Sequence, residues 1–584
     1  MAKESRQKAK KLKKTSPSRA KEEQLKIAAV PEDALVRKYQ GLVLIALLVL
    51  SLALAWFHHF IQDDAFISFI YSRSLVEGNG LTWFGNYVEG YTNFLWVLWI
   101  ALGMELKIDP IVWSYLGGFL SYAAVIYCAW KLSFLIFNNY LPAILTIILL
   151  ALNYTFSAYA TGGLETMLQT ALICAPAYFL YKIMIKNEPQ ISFCIYLSLL
   201  FAAATMTRMD TALPCAMIGL FALYEIYRRR LSGRFYLALC APFIIIVGGW
   251  LAWKLNYYGH ILPNSYYAKI GLRVSFNKNG LVFLYRFFSW YGLWPFFGLG
   301  IIILFFKKEK SVPGRRLIPL LVVVAVWCLY IIIIGGDFME FRFMVPITPF
   351  LFILLAYIIY YLIGKLLIKS WLAASLIAIA ILSAASIYHS LNFKYITKDK
   401  SLDSIPALSS FYGKYGPFGW GRIGNRLKED LAGTDAILAM DAVGAIPFYS
   451  GLKTIDMWGL NDPYIARYGQ IAPKLYLRPG HRRRATLDYL KQQKVNLIIG
   501  GPTITSVKIR NAALASKLIS WVRNKVIPFE SAHVGEATFV AMPIQDGKFL
   551  LMWYLTRTDR IDRAISEKGW QITTVNVPDV VLLK

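Results

Sequence analysis

The chain has 584 residues, of which 57% are hydrophobic and only 16% charged, against roughly 45–50% and 25% in an ordinary soluble domain. A wholly soluble fold is thereby excluded. The net charge of +28 does not point to nucleic acid, because the basic residues crowd into the N-terminus and into short loops between apolar blocks, as in membrane proteins.

Residues 1–38 hold twelve Lys/Arg against five Asp/Glu. This predicts a disordered cytoplasmic tail over 1–40, drawn to anionic lipid. The run GLVLIALLVLSLALAWFHHF (41–60) is long enough to cross the hydrocarbon core and too long for a cleaved signal, so it is read as a retained first span. Apolar blocks then continue to 389, defining a transmembrane domain over 41–389 with an outer loop at 61–110. Lys182 to Gln190, RRRLSGR (228–234), KKEKSVPGRR (307–316) and Lys365 to Lys369 are short and basic, which assigns them to the cytoplasm. The loops around 208–210, 257–283 and 335–342 then fall outside.

Four apolar segments lie between 61 and 182, and four crossings would put Lys182 on the wrong side. One must not cross. FLWVLWIALGM (94–104) spans about 16 Å as a helix, half the core thickness, so it is read as interfacial or re-entrant. About eleven spans remain, with the N-terminus inside and residues 390–584 outside as a soluble domain. There DAILAM (435–440), VNLIIG (495–500), ATFVAM (537–542) and FLLMWYL (549–555) predict strands, and HRRRATLDYLKQQK (481–494) a helix. This is an α/β pattern. The six cysteines lie in or beside apolar blocks and read as packing residues.

Polar residues collect on the outer side. Asp63 and Asp64 follow the first span; Glu77 and Glu89 share their loop. Glu165 opens a span, Arg208 and Asp210 interrupt an apolar hairpin, and Lys269 ends LPNSYYAK (262–269). Asp337, Glu340 and Arg342 occur in GGDFMEFRFMVP (335–346). Asp441, Asp456, Asn461 and Asp462 occupy turn-like stretches of the outer domain. Charge at a membrane boundary is costly unless paired or used. Adjacent acids repel, so the Asp63/Asp64 pair calls for a third party: one can accept a proton while the other orients a hydroxyl or a metal. A divalent metal stays open, and no histidine has zinc spacing. No phosphate-binding loop, dinucleotide fingerprint or nucleophile elbow occurs.

Five stretches in order carry a resemblance: DDAFISF…EGNGLTW…VEGYTNFLW (63–96), ATGGLETML (160–168), NYYGHILPNSYYAK (256–269), GGDFMEFRFMVP (335–346) and DAVGAIPFYSGLKTIDMWGLNDPYIAR (441–467). Together they resemble the membrane arabinofuranosyltransferases that cap mycobacterial arabinan and their wider bacterial relatives, of the GT-C class. The resemblance implies a polyprenyl-phosphate sugar donor, a cell-envelope glycan acceptor outside the cytoplasm, and an acid of the first outer loop as base. That base is Asp63 or Asp64; Asp63 is favoured as the first acid after the span. Where many relatives read Arg-Pro-Glu or Arg-Pro-Asp, this chain reads Arg208-Met209-Asp210. The expectation is a polytopic GT-C-like glycosyltransferase of a bacterial inner membrane that inverts the anomeric centre. Arg208, Lys269 and Arg342 would face the donor phosphate. Glu77, Glu89, Glu165, Asp210, Asp337, Asp441, Asp456, Asn461 and Asp462 would contact substrate, and the outer domain would hold the acceptor. A lipid-linked glycan flippase and a non-catalytic assembly scaffold are the alternatives.

Overall fold

The computed structural model describes residues 34–185, 189–269, 277–307, 316–396, 402–412, 419–472, 481–506, 512–528, 533–545 and 547–578. Most of the basic tail (1–33), the centre of the 307–316 loop and residues 186–188 lie outside the described residues.

Seven described helices are long and apolar enough to cross a membrane: Gln40–Phe57, Pro110–Phe137, Thr166–Ile185, Met209–Arg228, Gly233–Tyr258, Arg342–Gly364 and Trp371–Phe393. Four shorter apolar helices, Tyr140–Leu152, Ile191–Thr207, Trp294–Ile303 and Ile318–Ile334, fall where the sequence placed further spans. Seven and four make the eleven segments expected, although only seven reach crossing length. Gln40–Phe57 leaves Leu42, Ile45 and Val49 exposed, a face suited to lipid. Arg342–Gly364 is buried almost throughout, at the centre of the bundle.

The short Phe94–Glu105 helix has twelve residues, one fewer than Tyr140–Leu152; it buries Trp96, Val97 and Ile100 and leaves Leu98 and Leu102 exposed. Trp99 stacks on Trp113 at 4.6 Å between ring centres, and each indole N–H donates to the other residue's carbonyl. That double clasp folds it back against Pro110–Phe137.

The polar loops sort to two ends. At one end Arg229 donates to the Met184 carbonyl, Tyr181 to that of Arg316, and Arg316 to those of Leu135 and Ile136. Tyr140 also donates to Gln40 there. At the other end the loops bearing the conspicuous acids meet the C-terminal domain.

That domain is a mixed six-stranded sheet in the order β2-β1-β5-β7-β6-β8. Its strands are β1 (Leu438–Met440), β2 (Thr454–Asp456), β5 (Leu497–Thr505), β6 (Gly535–Gln545), β7 (Lys548–Tyr554) and β8 (Gln571–Val577). β1 runs parallel to β2 and β5, and the remaining pairs are antiparallel. A separate short ladder joins β3 (Gln470–Ile471) to β4 (Arg483–Arg484). The expected helix over 481–494 is therefore corrected: its first part is β4, and the helix is Leu487–Gln492, started by the Thr486 hydroxyl accepting the Tyr489 N–H. The last apolar helix runs to Ile396, beyond the expected boundary at 389.

Side chains alternate across the sheet, as the two-residue strand period requires. Ala439, Ile498, Phe539, Leu551 and Trp553 face one core with the Leu487–Gln492 helix. Leu438, Met440, Leu497, Val540 and Met552 face another, and its far wall is the first outer loop: Ile67, Ile70, Tyr71, Trp83 and Val97. The outer domain and the loop after span one thus bury a single apolar core. Each large side chain there contributes roughly 1.5–3 kcal/mol by leaving water, which holds the two parts in one arrangement.

Candidate active site

Gln62 is extended, and Asp63 and Asp64 form the first turn of the Asp63–Val76 helix, where carboxylates complement the positive helix end. The two neighbours have different fates. Asp63 is buried, and its carboxylate oxygens accept the backbone N–H groups of Gly444 at 3.0 Å and Ala445 at 2.7 Å. Burial pushes its carboxyl up to about 7, the two N–H donors pull it down, and the charge of Asp64 pushes it up. Asp64 is only half-buried, and its charge acts on Lys269 and Arg342.

A charged cluster lies beside this pair. Arg208 reaches Glu165 at 2.7 Å through Nη1 and clasps Asp210 through Nε at 3.1 Å and Nη2 at 2.7 Å. Glu165 also accepts from Asn93 at 2.7 Å. The backbone that poses Arg208 is extended and passes directly into a short 3-10 turn, Met209–Thr211. The hairpin therefore forms with Met209 between Arg208 and Asp210. Arg342 donates through Nε to Asp337 at 2.7 Å, and the guanidinium groups of Arg208 and Arg342 lie 5.8 and 5.3 Å from the Phe343 ring centre. Lys269 makes no ion pair among the described residues. Burial pushes its ammonium down, and Asp64 is the first of the charges that act on it. Asp64, Glu165, Arg208, Asp210, Lys269, Asp337 and Arg342 thus come together, drawn from five separate stretches of chain.

Solved structures share this architecture. ArnT from Cupriavidus metallidurans bound to undecaprenyl phosphate matches with a TM-score of 0.53 at 13% identity, over 89% of this chain and 99% of that one. The same protein in the apo state gives 0.53 at 12%, over 90% and 100%. The chain has the GT-C fold. A weaker likeness, 0.49 at 12% identity over 90% of this chain and 75% of the other, is to the oligosaccharyltransferase AglB from Archaeoglobus fulgidus in complex with an inhibitory peptide and a dolichol-phosphate. A family model described as a domain of unknown function matches residues 413–542. No curated protein matches the chain.

Within the GT-C fold the remaining predicted residues hold the chain to itself. Glu89 pairs with Lys254 at 2.8 Å, both buried, and burial pushes its carboxyl up to about 7 against the pull of Lys254. Asp441 pairs with Arg484 at 2.9 Å. Asp456 accepts from the Trp458 and Asn461 backbones and the Asn461 amide, and burial raises it to about 6. Asn461 accepts from Tyr71 at 3.1 Å. Asp462 caps the Pro463–Tyr468 helix and accepts from Tyr489 at 2.8 Å. Glu77 is exposed, 3.9 Å from Arg73. Among the described residues no three His, Cys, Asp or Glu side chains converge as a metal site would require.

Two glycines explain motifs that lie far apart in the chain. A Cβ on Gly444 would stand 1.9 Å from the Asp63 carbonyl oxygen, and one on Gly90 1.9 Å from Asn461 Oδ1. So the first-loop and outer-domain motifs are two halves of one contact. One node was read only in part, since Glu340 stood out in the sequence as a charge but its partners did not. Glu340, fully buried, accepts from His389 at 2.6 Å and from the Ile405 N–H at 2.7 Å, joining the Arg342 loop, the last apolar helix and the start of the outer domain. A histidine inside an apolar run opposite a buried acid was the available signal.

Proposed function

We propose that the chain is a glycosyltransferase moving a sugar from a polyprenyl-phosphate donor to an envelope glycan at the outer face of a bacterial inner membrane. The observation that carries this reading is the convergence of a half-buried acid, Asp64, with Lys269 and Arg342, on both of which its charge acts. Among the described residues Arg342 hydrogen-bonds through Nε to Asp337, which leaves its terminal nitrogens for a phosphate. Arg208 is spent on two acids and holds the hairpin. The acceptor hydroxyl attacks the anomeric carbon and loses its proton to Asp64. The bond to the lipid phosphate breaks, and Lys269 and Arg342 stabilise the departing oxyanion. A single displacement inverts the centre. With both Asp63 oxygens tied to backbone N–H groups, Asp63 serves to dock the outer domain.

The likeness to ArnT, which binds undecaprenyl phosphate, supports a lipid-phosphate donor, and the five ordered motifs make arabinofuranose the first sugar to test. The convergence of the basic loops at one end supports a cytoplasmic N-terminus and an extracytoplasmic C-terminal domain. Mass spectrometry of envelope glycans from a deletion strain, complemented with wild type or Asp64→Asn, tests the reading. The expected result is a missing sugar restored only by wild type. Restoration by Asp64→Asn as well would favour a scaffold or flippase, and an unchanged glycan profile in the deletion strain would remove the reading.

A further inference from the structure

The charge of the outer domain is segregated. Residues 467–525 hold thirteen Lys/Arg against a single acid, Asp488. The stretches on either side are mixed: 419–466 hold four Lys/Arg against six Asp/Glu, and 526–578 five against six. So one-sided a stretch repels itself, and a partner of opposite sign relieves it.

The fold gathers these cations on one side. The Leu487–Gln492 and Ala512–Trp521 helices pack on the same sheet face, where Leu487, Leu490, Leu518 and Trp521 share a core with Ile498 and Phe539. Lys491, Lys494, Lys517, Arg523 and Lys525, on these helices or just past them, are exposed. The first outer loop packs on the opposite face. There the Trp420–Asp430 and Asp559–Glu567 helices carry both signs of charge.

The basic strip reaches back to the reactive cluster at two points. Arg467 donates to Asn264 Oδ1 at 3.0 Å and lies 4.3 Å from the Tyr267 ring centre, on the Asn264–Lys269 helix that ends in Lys269. The His481 ring, next to Arg482 and Arg483, meets the Phe338 ring edge-on at 5.6 Å. Phe338 follows Asp337, the partner of Arg342. Beside Arg467, Tyr464 and Tyr468 are 48% and 70% exposed. Each presents a flat apolar face with a hydroxyl at its edge, which suits the face of a sugar ring.

We infer that this strip is the docking surface for an acidic glycan, a polymer with a carboxylate or phosphate on successive sugars, and that such a glycan is the acceptor. This rests on the glycosyl-transfer reading above and adds the chemical class of the acceptor. The lysines and arginines meet the anionic groups, and the tyrosines meet the sugar rings between them. A bilayer is the poorer match, because the strip lies on the sheet face opposite to the one that covers the first outer loop.

The test measures Kd of the purified full-length protein in phosphatidylcholine nanodiscs for fluorescent polygalacturonate and for neutral dextran of equal length. Wild type should bind the acidic polymer at least about 10-fold more tightly. Lys491→Gln, Lys494→Gln, Lys517→Gln and Lys525→Gln combined should weaken that binding about 10-fold to 100-fold. Lys428→Gln, Lys453→Gln, Arg563→Gln and Lys568→Gln combined remove the same charge elsewhere in the domain and should leave it within about 3-fold. All eight side chains are exposed, so both variants should fold. Equal losses in the two variants, or a polymer that binds no better than dextran, overturns the docking surface. So does displacement of the polymer by phosphatidylglycerol vesicles at a lower concentration of negative charge than free polygalacturonate needs, which would make the face a lipid surface. These outcomes leave the transfer reading to the deletion-strain test. Binding of the polymer by a chain that transfers no sugar would keep the surface and remove the transfer reading with its acceptor.

Discussion

The carboxylate of Asp63 accepts the backbone N–H of Ala445 at 2.7 Å, across 382 positions of sequence. One hydrogen bond thus ties the first residue after the first span's exit loop to the outer domain, and the charge of its neighbour Asp64 acts on Lys269 and Arg342. The two acids should separate cleanly by substitution. Asp64→Asn is expected to lower turnover about 10²–10⁴-fold, the usual loss of a general base. Asp63→Asn cannot accept both N–H groups and should cost about 1–3 kcal/mol of stability. Turnover and thermal melts in detergent measure both. The assignment fails if Asp64→Asn keeps its activity while Asp63→Asn loses it without losing stability.

The same contact should respond to pH. Burial raises the Asp63 carboxyl from 3.8 to about 7, so between those values the folded protein holds a proton that the unfolded chain has released. Stability from this group is then full at low pH and is lost as pH rises through about 7. Glu89, also raised to about 7, and Asp456, raised to about 6, act in the same sense. The melting temperature should fall from pH 5 to 7.5, and Asp63→Asn should show a shallower slope. Equal slopes would place the titration elsewhere.

The cations should divide as well. Lys269→Met and Arg342→Met should each cut turnover by about 10²–10³-fold if they stabilise the leaving phosphate. Lys269→Met should leave the fold intact, because no described acid loses a partner. Arg208→Met would strand Glu165 and Asp210, both held by it at 2.7 Å, and should destabilise by about 3–5 kcal/mol. A stable, inactive Arg208→Met would move the phosphate clamp to that residue.

Gly444→Ala and Gly90→Ala add one methyl at the seam, where each would meet an oxygen at 1.9 Å. Overpacking of this kind costs about 1–3 kcal/mol. Both should lower the melting temperature and loosen the outer domain to protease, and wild-type protease resistance in both would show that the seam gives way freely.

A reporter active only outside the cytoplasm should work when fused after residue 584 and be silent at 232. Activity at 232 would overturn the assignment of RRRLSGR (228–234) to the cytoplasm.

The membrane character, the short apolar helix near 94–105 and four strands of the outer domain were legible because each rests on local hydropathy and period. β2 has three residues and β8 alternates threonine and asparagine with valine, so neither carried a strong apolar signal. Arg208, Asp210 and Glu165 were legible as charges in apolar surroundings, but their mutual pairing is a tertiary fact. Which of Asp63 and Asp64 meets the outer domain could not be read, because a helix turn sends adjacent side chains apart and the partners of Asp63 are Gly444 and Ala445.

The shared core between the first outer loop and the C-terminal sheet sets an order of events during synthesis. The loop around Tyr71 emerges from the ribosome hundreds of residues before Asn461, its hydrogen-bond partner 390 positions away. At about 5–20 residues per second that interval is roughly 20–80 s. Through it the helix bearing Asp63 and Asp64 waits with Ile67, Ile70 and Trp83 uncovered. A chain cut short between Arg342 and the sheet would carry every charged residue of the cluster and yet have no wall behind its first loop. Such truncated copies should be cleared by quality-control proteases rather than persist as partial enzymes.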